Sequence, residues 1–69
     1  MKRLVLTGAA GRLGSYLREP LSKLCTELVS SDLVADIGKL YPGERYVQAD
    51  LAQYDQIHAL LAGADQVVH

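Results

Sequence analysis

Gly8, Gly11 and Gly14 recur at every third position of the stretch Thr7-Gly8-Ala9-Ala10-Gly11-Arg12-Leu13-Gly14. The chemistry this spacing suits is the grip of a diphosphate. A glycine at the first position lets the chain turn sharply, and one at the second lets the backbone approach a pyrophosphate. The third lets a following helix lie close against a sheet. The start of such a helix adds N–H groups without intrahelical partners and the positive end of the helix dipole. Arg12 offers a charge-assisted contact to a phosphate or points into solvent, and Leu13 belongs to the same turn. The spacing is GxxGxxG rather than GxGxxG. By itself such a triplet also suits a tight strand-to-helix turn that binds nothing.

Two acidic residues fall where a nucleotide would meet them. Asp32 lies 18 residues beyond Gly14, after an apolar run and beside Leu33. A carboxylate at that distance accepts hydrogen bonds from the adenosine ribose hydroxyls and repels a 2′-phosphate. No Lys or Arg adjoins Asp32 to hold such a phosphate, the nearest being Lys39. The expected cofactor is therefore NAD rather than NADP; the alternative is a solvated loop aspartate. Asp50-Leu51 follows the third apolar run. Asp50 there either bonds the adenine amino group, with Leu51 over the ring, or caps the next helix. His58, His69 and Cys25 read as helix-edge, strand-end and small core residues. Asp36, Glu44 and Asp55 read as solvated charges or caps. No carboxylate pair, metal-ligand cluster or nucleophile–base pair emerges, so no catalytic residue and no metal are expected.

The elements that must position these residues alternate. Arg3–Thr7 is a continuous apolar run ending at a glycine, the pattern of a strand covered on both faces. Leu13, Tyr16, Leu17, Leu21 and Leu24 form a helical stripe. Pro20 removes a hydrogen bond inside that helix, predicting a kink or bulge near Tyr16. Glu27–Asp32 is a second strand. Residues 33–44 carry Gly38 and Pro42-Gly43 and read as loop, with one helical turn over 36–40. Arg45–Ala49 is a third strand. Asp55–Ala62 is a second helix with Ile57, Leu60 and Leu61 on its apolar face and Gly63 at its C′ position. Gln66–His69 begins a fourth strand. Alternation of this kind implies an α/β doubly wound parallel sheet of Rossmann type with right-handed crossovers. The expected strand order is 3-2-1-4.

Composition excludes several classes. At 69 residues there is room for one small core, and one cysteine leaves no internal disulfide to reinforce it. A net charge of −1 gives no broad basic surface, so neither nucleic acid nor a membrane surface is an expected partner. No apolar stretch approaches the ~20 residues of a membrane span. The lone cysteine and the absence of an export-type apolar stretch point to the cytoplasm.

Taken together these residues resemble the extended short-chain dehydrogenase/reductase superfamily, the NAD-dependent epimerase/dehydratase group, over the whole chain. Thr7–Gly14 matches its TGxxGxxG, Asp32 its ribose acid, Asp50-Leu51 its adenine-side pair, and Gly63–His69 its fourth strand. Lys2–Gly11, Ser31-Asp32-Leu33 and Ala49–Ala52 are most similar to members that oxidise a hexuronic acid at its anomeric carbon to a lactone with NAD. The resemblance implies an oxidoreductase of a small-molecule sugar, with room for a homo-oligomer in the full-length form. Nucleotide-sugar epimerases or dehydratases of the group are the alternative, and a noncatalytic NAD-binding module a further one. The family's proton-transfer residue is the tyrosine of a Tyr-x-x-x-Lys pair. Here Tyr16, Tyr41, Tyr46 and Tyr54 are followed at that distance by Pro20, Arg45, Asp50 and His58. The resemblance therefore implies that residues 1–69 are an amino-terminal portion of the domain, cut within the fourth strand and inactive alone.

Overall fold

The computed structural model describes residues 2–50 and 52–68, so Leu51 and His69 of the expected set lie outside the described residues. The elements are β1 (Arg3–Thr7), α1 (Arg12–Leu24), β2 (Glu27–Asp32), β3 (Glu44–Gln48), α2 (Tyr54–Leu61) and β4 (Gln66–Val68). The four strands form one parallel sheet in the order β3-β2-β1-β4. The expected topology is thus the observed one. Its register brings Thr7 level with Ser31 and Asp32 level with Gln48, so the glycine turn and both acidic positions gather at one end of the sheet.

Burial explains why β1 shows no polar alternation. Leu4 and Leu6 join Ala9 and Leu28 in one cluster, with Leu17, Leu21 and Cys25 of the α1 side packed against it. Val5 and Val29 join Leu60 of α2 in another. Successive residues of a strand face opposite sides, so α1 and α2 cover opposite faces of the same strands. Fully burying a Leu or Val side chain contributes about 1.5–3 kcal/mol, and the two-sided placement of β1 puts Leu4, Val5 and Leu6 into the small core. Gly63 has φ +75° one residue beyond the Ala62 C-cap of α2, as its C′ assignment requires.

Several sequence expectations are corrected. The stripe on α1 is split: Leu17 and Leu21 pack inward, whereas Leu13, Tyr16 and Leu24 are exposed. Gly14 and Arg18 occupy the buried face in their place. The helix continues through Pro20 as α-helix without a bulge at Tyr16. Pro20 is on the solvent side, where a missing backbone bond is cheapest. Residues 36–40 make no helical turn and only bend, with Asp36 accepting the Gly38 N–H (2.9 Å). β3 and α2 each begin one residue earlier than expected, and Leu61 is exposed.

Glu44 is the largest correction: it is no solvated charge, its side chain being wholly buried. Arg18 grips it with two bonds, Nε to Oε2 at 2.7 Å and a terminal nitrogen to Oε1 at 2.8 Å. The Ser30 hydroxyl (2.5 Å) and the Tyr41 N–H (2.9 Å) donate to the same carboxylate. The Arg18 guanidinium also donates to the Lys39 carbonyl at 3.0 Å and lies 5.3 Å from the centre of the Tyr41 ring. This bonded group fastens the long connection between β2 and β3 to α1, where the sequence offers no helix to do so.

Candidate functional site

The turn after β1 is built as its glycines predict. Gly8 has φ +69°, a conformation that side chains resist, and a Cβ there would meet nothing within 4 Å. It is backbone geometry that requires this glycine, and its missing side chain leaves open space. Gly11 has its N–H on the Gly8 carbonyl (3.1 Å) and would bring a Cβ to 3.3 Å from that oxygen. At Gly14 a Cβ would stand 2.2 Å from the Gly8 carbonyl oxygen and 2.9 Å from the Ala9 Cα. The start of α1 therefore rests on the turn itself. Gly11 is the N-cap, no side chain caps the helix and no acidic residue stands in its first turn. Arg12 and Leu13 are exposed at this end, beside helix N–H groups suited to an anion.

Asp32 reaches across to that turn. Its Oδ2 accepts the Ala10 N–H at 2.9 Å and its Oδ1 accepts the Leu33 N–H at 2.7 Å. Each carboxylate oxygen keeps a further lone pair for another donor. Asp32, Leu33, Thr7, Gly8, Ser31, Ala49 and Asp50 line a cleft of 170 Å³. A second hollow of 320 Å³ shares Leu33, Ala49 and Asp50 with it and adds Gln48 and Gln56. Both open beyond the carboxyl ends of the central strands, where ligands of open α/β sheets bind.

Asp50 is engaged locally: its Oδ1 accepts the Ala52 N–H at 2.9 Å, and its own N–H donates to Gln56 Oε1 at 2.7 Å. Asp50 therefore closes a turn ahead of α2, whose N-cap is Gln53 with no side-chain bond, and it lies on the wall of the same cleft. The structure thus brings together Gly8, Gly11, Gly14, Asp32, Leu33 and Asp50, with Arg12 and Leu13 at the outer edge of the turn. His58 is exposed on α2, away from this cleft's lining.

Three contributors were not visible in the sequence. Ser31, 1% exposed, is among the residues lining the cleft, and its hydroxyl is the one buried side-chain polar atom among the described residues without a hydrogen-bond partner. An orphaned buried hydroxyl is costly, and a ligand in the cleft is a natural partner for it. Tyr46 and Gln48 of β3 hold the segment after Asp32: the Tyr46 hydroxyl contacts the carbonyls of Asp32 (3.1 Å) and Val34, and Gln48 Nε2 donates to the Leu33 carbonyl (2.8 Å). Burial, and then the Asp32 charge, push the Tyr46 hydroxyl above its ordinary range, so it stays a donor. The period of two that puts residues 44, 46 and 48 on one face was the available signal.

The residues present fit a dinucleotide: an open glycine turn, an uncapped helix start, a carboxylate with free lone pairs and an unpartnered hydroxyl share one rim. No family profile matches the chain. It is similar to the uronate dehydrogenase of Agrobacterium fabrum, 44% identical over 69 residues, which is 100% of this chain and 26% of that protein. Similarity to the uronate dehydrogenase of Pseudomonas putida is 40% over 67 residues, covering 97% and 25%. Among solved structures, a tyrosine-to-alanine mutant of uronate dehydrogenase from Agrobacterium tumefaciens, complexed with NAD, superposes with a TM-score of 0.91 at 43% identity, covering 100% of this chain and 26% of that one. Glucuronic acid dehydrogenase from Chromohalobacter salexigens gives 0.90 at 40%, covering 99% and 25%. The chain spans about a quarter of the length of the curated relatives it matches. The whole-chain resemblance is borne out, as is the fold.

Proposed function

We propose, with the likeness to uronate dehydrogenases as premise, that this chain is the dinucleotide-holding part of an NAD-dependent oxidoreductase. Residues 1–69 form an amino-terminal portion of its Rossmann domain, and the complete cytoplasmic enzyme oxidises a hexuronic acid to its lactone. The observation that carries the reading is the Asp32 carboxylate, fixed 2.9 Å from the Ala10 N–H on the rim of the cleft it shares with Gly8. Gly8 and Gly11 give the diphosphate a backbone it can approach, and the uncapped start of α1 faces its charge. Asp32 accepts the ribose hydroxyls with lone pairs its two backbone bonds leave over. Leu33, 61% exposed, gains cover from the adenosine, and Ser31 and Asp50, which line the same cleft, border the base. NAD, when bound, supplies the acceptor for the hydride leaving the sugar. Proton transfer falls to no tyrosine of these 69 residues, since none stands four before a lysine.

Titration of the protein with NAD and NADP tests this. Asp32→Ala removes hydrogen bonds to a charged group, so the Kd for NAD rises about 10-fold or more, and the preference over NADP narrows. An unchanged Kd would remove Asp32 from the site.

A further inference from the structure

We propose that Tyr46 and Gln48 are the positioning residues that set the choice between the two nicotinamide dinucleotides, by clamping the backbone that carries Asp32. The proposal rests on the dinucleotide reading above and goes beyond it, because both side chains act through the backbone that carries Asp32.

The geometry is a bracket. The segment 32–34 leaves β2 with its own carbonyls turned toward β3. The single Tyr46 O–H is shared between the carbonyls of Asp32 and Val34, and Gln48 donates to the carbonyl of Leu33 between them. Three successive carbonyls are thus fastened by two side chains of one strand face. The Ala49 N–H adds a backbone bond to the Asp32 carbonyl at 3.0 Å. On the opposite side the Leu33 N–H is pinned to Asp32 Oδ1 and the Ala10 N–H to Oδ2. The carboxylate and the backbone that carries it are therefore held by one connected set of hydrogen bonds.

The consequence for the ligand is electrostatic. Two like charges at about 4 Å repel with an energy that falls as their distance grows. A 2′-phosphate is rejected only if the carboxylate is kept where the ribose hydroxyl lies. Tethering does that; a loose aspartate would turn into solvent and tolerate the phosphate. Ribose hydroxyls, by contrast, gain from a carboxylate already in place, because no ordering is left to be done on binding.

Tyr46→Phe removes the hydroxyl and keeps the ring. Gln48→Met keeps the length of the side chain, is made at an exposed position and removes the donor beside the Leu33 carbonyl without adding a charge. Both are to be compared with the unaltered protein and with Asp32→Ala, in the form the native cells produce, by calorimetric titration with NAD and NADP. Each bracket variant is expected to shrink the ratio of the two Kd values about fivefold, the effect of one hydrogen bond. Hydrogen exchange at the Leu33 amide is expected to speed up in step. A merely structural role would weaken both ligands in parallel and leave the ratio fixed. An unchanged ratio in both variants, with Asp32→Ala still altering it, would overturn the bracket alone. No effect of Asp32→Ala on NAD binding would instead overturn the dinucleotide reading, and the bracket's role with it.

Discussion

At Gly14 a single hydrogen atom stands where any other residue would put a carbon 2.2 Å from a backbone oxygen. Both obstacles are main-chain atoms, so no side chain can step aside. Gly14→Ala is expected to cost about 3 kcal/mol, the upper end of overpacking penalties. In a domain of this size that lowers Tm by roughly 12–24 °C, which a thermal melt followed by circular dichroism will read. A melt within a few degrees of the parent would mean that α1 does not sit on the turn as described. The three glycines and Asp32 were legible in the sequence because their roles depend on spacing along the chain. Tyr46 and Ser31 were not, because their roles depend on which face of a strand meets which neighbour across the sheet. Leu51 and His69 lie outside the described residues.

Among the elements, the long β2–β3 connection depends on one buried ion pair. Burial raises the Glu44 carboxyl, but hydrogen bonds from Arg18, Ser30 and the Tyr41 N–H, with the Arg18 charge, outweigh it and hold the group below its usual 4.5. A carboxyl lowered by folding contributes stability that is whole above about pH 4.5 and is lost as pH falls through the folded value. Removing one partner of a buried pair costs about 3–5 kcal/mol. At roughly 0.05–0.15 kcal/mol per residue, 69 residues hold about 3–10 kcal/mol in all. Arg18→Ala is therefore expected to remove a large share of the chain's stability at pH 7. Urea melts at pH 7 and pH 4 should also show the sign reversed: the parent weakens on acidification, while the variant recovers as its stranded Glu44 takes a proton. A variant that weakens in parallel with the parent would show that the pair contributes little. One signal for this pair was in the sequence. Arg18 lies four residues after Gly14 and three before Leu21, on the face that packs inward. Glu44 gave no such sign, since it follows a Pro-Gly turn and reads as loop.

For the molecule as a whole, one outward stripe of α1 is apolar, beside the exposed Arg12, Glu19 and Lys23. Leu13, Tyr16 and Leu24 are 70%, 75% and 63% exposed, and Pro20 lies between them. Tyr54 at 89% and Val67 at 41% add to the uncovered apolar surface. A small chain with this much apolar surface in water is expected to self-associate as its concentration rises. Sedimentation velocity should show the average mass growing with concentration, and Tyr16→Lys with Leu24→Lys should suppress that growth. A constant monomer mass for the parent would contradict this. The split of the helical stripe was hidden in the sequence, because leucine and tyrosine at helical spacing look alike whether they face a sheet or water.

The order β3-β2-β1-β4 also fixes a schedule for the nascent chain. β1 leaves the ribosome first, yet it lies between β2 and β4, and β4 is made last. Arg3 and Asp65, whose contact closes that side of the sheet, are 62 residues apart. At about 5–20 residues per second, one flank of Leu4-Val5-Leu6 waits roughly 3–12 s for its partner strand. Throughout that interval this apolar strand has an open edge, so this is when the newborn chain most needs a chaperone's cover, and slower codons between residues 33 and 65 would lengthen the exposure.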